Sequence, residues 1–281
     1  MLWIPFAGAI SEAAGTILEK IVLRKRKINY KIYTVFSFLA IVLVSLPLLY
    51  FFWKLSPEAY ETKNFIILLF VIATSIIANL LMFYSLKREK VTELEPLRLF
   101  QPLFVILLAF AIYSAERNFS ILIVALIASG ALIFSHLRKH HLQYNKYLIA
   151  ALLASLFFAI ELVASRAILP YYSGITFYFI RCAAILLITL AIFRPNPKNI
   201  DKKSGILILI TGAIWVFYRV ILYYGYLTYG VIFTTLLFIL APIFIYIFAR
   251  IFLKEKLNWR NIIAAIIIVA CVVYAIWANP I

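Results

Sequence analysis

Charged residues, cysteine and recognisable catalytic motifs are all scarce in this chain of 281 residues. Only 14% of its residues are charged, whereas a soluble globular domain has about 25%, so the soluble class is excluded. The two cysteines, Cys182 and Cys271, both lie inside apolar runs. A fold built on disulfides is therefore excluded, and no Cys/His spacing typical of a metal site is present.

The sequence also lacks the constellations that enzymes and ATP-driven pumps need. It contains no HExxH, no GxSxG and no Walker loop, and its single aspartate, Asp201, lies in a loop segment. These motifs supply metal ligands, a nucleophile or a phosphate cradle. We therefore expect no catalytic residues, no metal and no cofactor.

Apolar residues, in contrast, make up 66% of the chain, and the mean hydropathy is +1.04. A bilayer core about 30 Å thick needs about 20 apolar residues per helix. Continuous runs of that length predict helices rather than the alternating strands of a barrel. We predict an all-α integral membrane protein with ten spans, the first of them retained as a span. The predicted spans are 2–23, 31–53, 64–86, 93–113, 119–137, 147–169, 174–193, 204–226, 229–250 and 261–279.

The net charge of +16 would suggest nucleic acid in a soluble protein, but here its distribution indicates topology. Nineteen of the 27 Lys and Arg residues lie in or beside every second loop, three lie on the other side, and five lie within spans. Short loops rich in Lys and Arg stay in the cytoplasm. We expect a multi-pass cell-membrane protein with both termini outside, basic loops inside and no nucleic-acid partner.

The chain also repeats itself internally. A shift of 140 residues places Tyr84 on Tyr224 and Pro102 on Pro242. This predicts two related halves of five helices, 1–138 and 146–281, joined by a short cytoplasmic linker, 139–145. Because five is odd, the second half enters the membrane inverted, which is typical of secondary transporters, although some channels share it.

Three stretches resemble a known family. They are 83–97 (FYSLKREKVTELEPL) leading into 101–105, the equivalent residues 224–227 and 240–244 of the second half, and 252–259 (FLKEKLNW). Together they resemble the drug/metabolite transporter superfamily, EamA type, although Lys254 stands where the family usually has Gly. The resemblance implies two five-helix repeats around a cavity. That cavity would be lined mainly by the first, third, fourth, sixth, eighth and ninth of the predicted spans. It also implies a substrate among amino acids, drugs, nucleotide sugars, sugar phosphates or other metabolites.

Ionisable side chains deep in a span cost about 2.5–3.5 kcal/mol each, so they are candidates for function. Glu12 lies mid-span among small residues, and Glu161 and Arg219 lie in later spans. A carboxylate could bind a substrate ammonium, and a buried Arg could bind a carboxylate. The predicted substrate-binding or coupling residues are Glu12, Glu161, Arg219, Trp215, Tyr223 and Asn79. The alternatives are buried ion pairs and, for the aromatic residues, an interfacial belt.

A second group could form a gate. Most of its members lie near the cytoplasmic ends of spans one and four, where ion pairs could break as the cavity opens. The predicted gate residues are Glu19, Lys20, Glu95, Arg98, Gln101 and Arg181. For Arg181 the alternative is an ion pair with Glu161, since the seventh helix is expected to be peripheral. A solvated surface is the alternative for the others.

We therefore predict a secondary transporter of a small polar organic metabolite, with an amino acid favoured, working by alternating access. The alternative is a flippase for a lipid-linked substrate. Glu12 or Glu161 could carry a coupling proton if burial favours its protonated form. The expected partners are the substrate and the lipid bilayer, and the protein is expected to be a monomer or a weak homodimer.

Overall fold

The computed structural model describes residues 3–136, 145–254 and 259–278. Within them the chain is helical and has no strand, and Leu55 and Tyr172 form an isolated antiparallel bridge. The predicted linker 139–145 lies outside the described residues except for Asn145. The helices are α1 (Trp3–Leu23), α2 (Tyr30–Phe52), α3 (Thr62–Arg88), α4 (Val91–Arg98), α5 (Phe100–Ile112), α6 (Phe119–His136), α7 (Lys146–Ile168), α8 (Gly174–Phe193), α9 (Lys202–Thr228), α10 (Val231–Phe238), α11 (Ala241–Leu253) and α12 (Trp259–Ala278).

Each predicted apolar segment coincides with one helix, or with two consecutive helices for the fourth and ninth segments. Six stretches are long and apolar enough to cross a membrane: Tyr30–Phe52, Thr62–Arg88, Lys146–Tyr171, Gly174–Phe193, Lys202–Thr228 and Val231–Phe252. Shorter apolar helices cover Phe100–Ile112, Phe119–Ala131 and Ile266–Trp277. The prediction of an all-α membrane protein is confirmed.

Two prolines explain why the fourth and ninth segments are each split into two helices. Pro102 lies in the first turn of α5 and Pro242 in the first turn of α11. A proline has no N–H to donate to the carbonyl four residues earlier, and its ring clashes with that carbonyl. The helix is therefore interrupted one turn earlier, at Leu99 and at residues 239–240. The two breaks are related by the 140-residue shift, because Leu99 plus 140 is Ile239.

The helices of the two halves pack mainly against each other. The most extensive pairings are α3 with α7, α1 with α9, α2 with α8, and α6 with α12. Exchanging the halves maps α3–α7 onto α9–α1 and maps the other two pairs onto themselves. Where α2 crosses α9, a Cβ on Gly212 would lie 2.9 Å from the Ala40 Cβ. A glycine is needed there because the two backbones approach closely.

One end of the bundle carries the basic loops, and polar contacts join them. Lys25, after α1, contacts Asp201 at 3.2 Å and donates to the Ser204 hydroxyl at 2.6 Å, both at the start of α9. The Ser204 hydroxyl, together with Lys25, lowers the pKa of Asp201 to about 2. Lys87 donates to the carbonyls of Leu23 and Lys25. The ends of α1, α3 and α9 are thus held together.

Contacts between the halves also occur at other loops. Ser56, after α2, donates its N–H to the Tyr171 carbonyl at 2.9 Å. The Glu116 carboxylate, after α5, accepts the N–H groups of Val231 and Ile232 at 2.7 and 3.1 Å. Gly230 adopts φ +86°, and a Cβ there would lie 2.7 Å from both Glu116 oxygens. Glycine therefore allows Glu116 to reach the N-terminus of α10, where the helix dipole favours a negative charge.

Candidate functional site

The polar residues buried in the spans surround a cavity between the two halves. About 750 Å³ there is not filled by protein atoms, a volume that includes space open to the surroundings. Its wall is formed by α1, α2, α3, α4, α5, α7, α8 and α9. Phe38, Ile41, Met82, Phe83, Leu86 and Phe158 are apolar wall residues. The polar or amphipathic wall residues are Glu12, Glu19, Ser37, Asn79, Arg98, Gln101, Tyr178, Arg181, Trp215, Tyr218 and Arg219.

A second space, about 490 Å³ including the part open to the surroundings, adjoins the first and reaches both helix breaks. Pro102 and Pro242 both line it, as do Leu99 and Phe238 beside the breaks. Glu12, Arg98, Gln101 and Tyr218 line both spaces. The cavity therefore extends to the points where the backbone of the two split segments is interrupted.

One wall of the cavity is built around Glu161, whose side chain is fully buried on α7. Arg181 of α8 forms an ion pair with Glu161 Oε1. Arg219 of α9 donates from Nη1 to Glu161 Oε2 at 3.3 Å, and the Ser165 hydroxyl donates to Oε1 at the same distance. Both carboxylate oxygens are thus occupied. We call Glu161, Arg181 and Arg219 the Glu161 triad, and its net charge is +1.

Aromatic rings position the two arginines. The Arg181 guanidinium carbon lies 5.0 Å from the centroid of the Tyr178 ring, and that of Arg219 lies 5.9 Å from the Tyr218 ring. Cation–π contacts of this kind are worth about 2 kcal/mol or more when they are desolvated. Both arginines line the cavity, although the helix that carries Arg181 was expected to be peripheral. That expectation was wrong because α8 packs against α2 and α9.

Another part of the wall is formed by one face of α1. Glu12, Thr16 and Glu19 follow the helical spacing that places side chains on one face. Arg98, the last residue of α4, lies 3.5 Å from Glu12 Oε1 and donates to the Thr16 hydroxyl at 3.1 Å. Trp215 of α9 donates its indole N–H to Glu19 Oε1 at 2.8 Å.

Gly15 on α1 makes the contact of Trp215 with Glu19 sterically possible. A Cβ on Gly15 would lie 3.1 Å from the Trp215 ring. The small residue lets the indole approach α1 and reach the carboxylate one turn further along the helix. Trp215 therefore belongs to the cavity wall rather than to an exposed aromatic belt.

The structure separates the predicted gate residues. Arg98, Gln101, Glu19 and Arg181 line the cavity. Lys20 instead donates to the carbonyls of Leu86, at 2.6 Å, and of Glu89, at the end of α3. Glu95 lies in α4, but its side chain is outside the described residues.

The remaining predicted binding residues divide similarly. Asn79 lines the cavity and donates to the Ser75 carbonyl at 2.8 Å. Glu161 is absent from the residues that line either space, because the arginines surround its carboxylate. Tyr223 is also absent from them, and its ring packs edge-on against Phe177 with centroids 5.3 Å apart.

Sequence reasoning did not identify Tyr178, Ser37 and Met82 as wall residues. Tyr178 precedes Arg181 by one helical turn on α8. That spacing from a buried arginine is a signal that could have identified it. Ser37 and Met82 carry no comparable signal, because a serine or a methionine in a span is commonly a packing residue.

The comparisons with known proteins agree with this architecture. The model of the EamA-like transporter family matches residues 1–136 and again 145–277. A crystal structure aligns with 99% of this chain and 98% of its own chain, with a TM-score of 0.72 and 14% sequence identity. At that identity the likeness extends to the fold alone. No curated protein sequence matches the chain.

Proposed function

Because the chain belongs to the EamA-like transporter family, we propose that it is a secondary transporter of a small polar organic metabolite. An amino acid or a related solute is the favoured substrate, and it crosses by alternating access through the central cavity. The observation that carries this proposal is the charged cavity between the two halves, whose wall includes residues from both.

The distribution of charge favours a zwitterion. On the α1 wall, Glu12 and Glu19 contribute two negative charges and Arg98 one positive charge, which gives a net charge of −1. On the other wall, the Glu161 triad has a net charge of +1. A substrate ammonium would bind to the α1 glutamates, and a substrate carboxylate would bind to Arg181 and Arg219. Since both oxygens of Glu161 are occupied, its role would be to position the arginines.

Arg98 would link substrate binding to a conformational change. It ends the short helix α4 beside the helix break, and it holds α4 to α1 through Glu12 and Thr16. A substrate ammonium that competes for Glu12 would weaken this tie. Because α4 is separated from α5 at Leu99, it could then move without the rest of the segment.

The inverted ten-span arrangement is part of the same proposal. The breaks at Leu99 and Ile239 are related by the 140-residue shift, and the helix pairings persist when the halves are exchanged. An inverted repeat lets the halves exchange conformations, so that the cavity opens to each side in turn. Glu12 or Glu19 would carry any coupled proton. The described residues offer no feature that favours the flippase alternative.

The experiment is a flux assay in proteoliposomes with labelled amino acids, amines, nucleosides and sugar phosphates. We expect uptake of an amino acid, and we expect Glu12→Gln and Arg219→Gln to reduce it at least tenfold. Glu58→Gln and Arg117→Gln are matched controls, because both residues are exposed outside the cavity. If no solute crosses, or if all four variants behave alike, the proposal is wrong. A flux unchanged by an imposed pH gradient would refute proton coupling.

A further inference from the structure

The basic end of the bundle contains a cluster of cations drawn from two loops far apart in the sequence. Each loop is taken here together with the first residues of the helix that follows it: 24–31, from the end of α1 into α2, and 194–203, from the end of α8 into α9. Lys25 joins them through Asp201 and Ser204. The Lys31 ammonium also lies 5.6 Å from the centroid of the Phe193 ring, at the end of α8. We call this joined surface the two-loop basic surface.

Almost none of the positive charge on this surface is neutralised within it. The two loops contain nine Lys and Arg residues and one acidic residue, Asp201. Asp201 is occupied by Lys25 and by the first turn of α9. The other eight cations are all exposed: Arg24, Arg26, Lys27, Lys31, Arg194, Lys198, Lys202 and Lys203. Eight like charges held together repel one another unless an anion lies between them.

Arg194 indicates that a cation is retained there at a cost in backbone energy. It caps the end of α8 in the left-handed conformation, with φ 41°. Glycine or asparagine usually occupies this position, because other side chains clash in that conformation. The side chain of Arg194 makes a local hydrogen bond to the Ala191 carbonyl, and its charge is otherwise available to an anion.

We propose that the two-loop basic surface binds the headgroup of an anionic phospholipid. Both loops connect apolar helices that we take to span the membrane, so the cations lie at the level of the lipid headgroups. Clusters of four to eight Lys or Arg residues beside a span attract anionic lipids in this way. Positive charge that serves only to orient the chain during insertion would not require two distant loops to be joined.

The test measures lipid selectivity in reconstituted membranes with spin-labelled phosphatidylglycerol and spin-labelled phosphatidylcholine. We expect the wild-type protein to immobilise phosphatidylglycerol preferentially, with a preference that falls as salt increases. Arg194→Gly should lower it about fivefold, from the usual contribution of one cation near a membrane surface. Because glycine suits the left-handed conformation, this variant should melt at or above the wild-type temperature.

Matched controls remove the same charge elsewhere. Lys54 follows α2 and Lys63 lies in the first turn of α3, both away from the two loops. Lys54→Gln and Lys63→Gln should leave the lipid preference unchanged. If Arg194→Gly retains the full preference, or if the Lys54 and Lys63 variants lose as much, the proposal is wrong. If inorganic phosphate at millimolar concentration abolishes the preference, the surface binds free phosphate and not a lipid.

Discussion

Removing Glu161 is expected to destabilise the protein far more than removing either arginine that it binds. Glu161→Gln leaves Arg181 and Arg219 as two buried cations without a counterion. Arg181→Gln leaves one cation and one carboxylate, which remain paired through Arg219. The charge count therefore predicts that loss of the Glu161 carboxylate strongly destabilises the protein, whereas loss of one arginine is tolerated.

The burial of the triad sets the magnitude. Glu161 is fully buried, and Arg181 and Arg219 are 2% and 8% exposed. Breaking a buried ion pair on one side costs about 3–5 kcal/mol. At a few degrees per kcal/mol for a chain of this size, Glu161→Gln should lower the melting temperature by roughly 10 °C. Arg181→Gln should lower it by only a few degrees.

Cys182 provides the assay, because it is fully buried beside Arg181. Its thiol should react with a fluorogenic maleimide only as the protein unfolds, and a Cys271→Ala background removes the partly exposed second thiol. The double variant Glu161→Gln/Arg181→Gln should melt between the two single variants, since it leaves one unpaired cation rather than two. If Arg181→Gln melts as low as Glu161→Gln, the charge-count reasoning is refuted.

Three further predictions concern contacts described above, and a fourth concerns the orientation of the chain. Gly212→Ala should cost about 1–3 kcal/mol because α2 leaves no room for a Cβ, whereas Gly130→Ala, with nothing within 4 Å, should be neutral or stabilising in the same melting assay. Glu116→Ala should cost about 1–3 kcal/mol of stability, since two N–H groups of α10 lose their acceptor. Glu58→Ala, at an exposed glutamate, is the control. Equal melting temperatures for the two variants would contradict the capping of α10 by Glu116. The contact of Asp201 with Lys25 should persist above about pH 4 and weaken as the pH falls towards 2, because its pKa is lowered in the folded state; the difference in melting temperature from Asp201→Asn should shrink over that interval. A glycosylation site at either terminus should be modified if both termini lie outside, and a cytoplasmic C-terminus would overturn that orientation.

The sequence predicted the helices well because apolar length and proline act locally. Pro102 and Pro242 are visible in the sequence, and the helices break one turn before each. The cost of burying charge identified Glu12 and Arg219 as cavity residues without any tertiary information. These features need only the physics of one segment in a membrane.

What the sequence could not supply was the packing between halves. Nothing in the chain near Arg181 shows that α8 lies against α2 and α9, so this helix was expected to be peripheral although Arg181 itself was a predicted gate residue. Likewise, the sequence did not distinguish Trp215, which faces the cavity, from Tyr223, which is fully buried. Both distinctions depend on contacts with other helices.

The split of the fourth segment has a consequence for how the protein enters the membrane. Helix α4 has three charged residues among its eight, Glu93, Glu95 and Arg98, so it does not partition into lipid alone. Helix α5 has 13 residues, about 20 Å of helix, which is shorter than the bilayer core of about 30 Å. Both helices pack against α7, which the ribosome makes later. We therefore expect the fourth segment to insert fully only after the second half has emerged, so biogenesis ends with a late rearrangement of the first half.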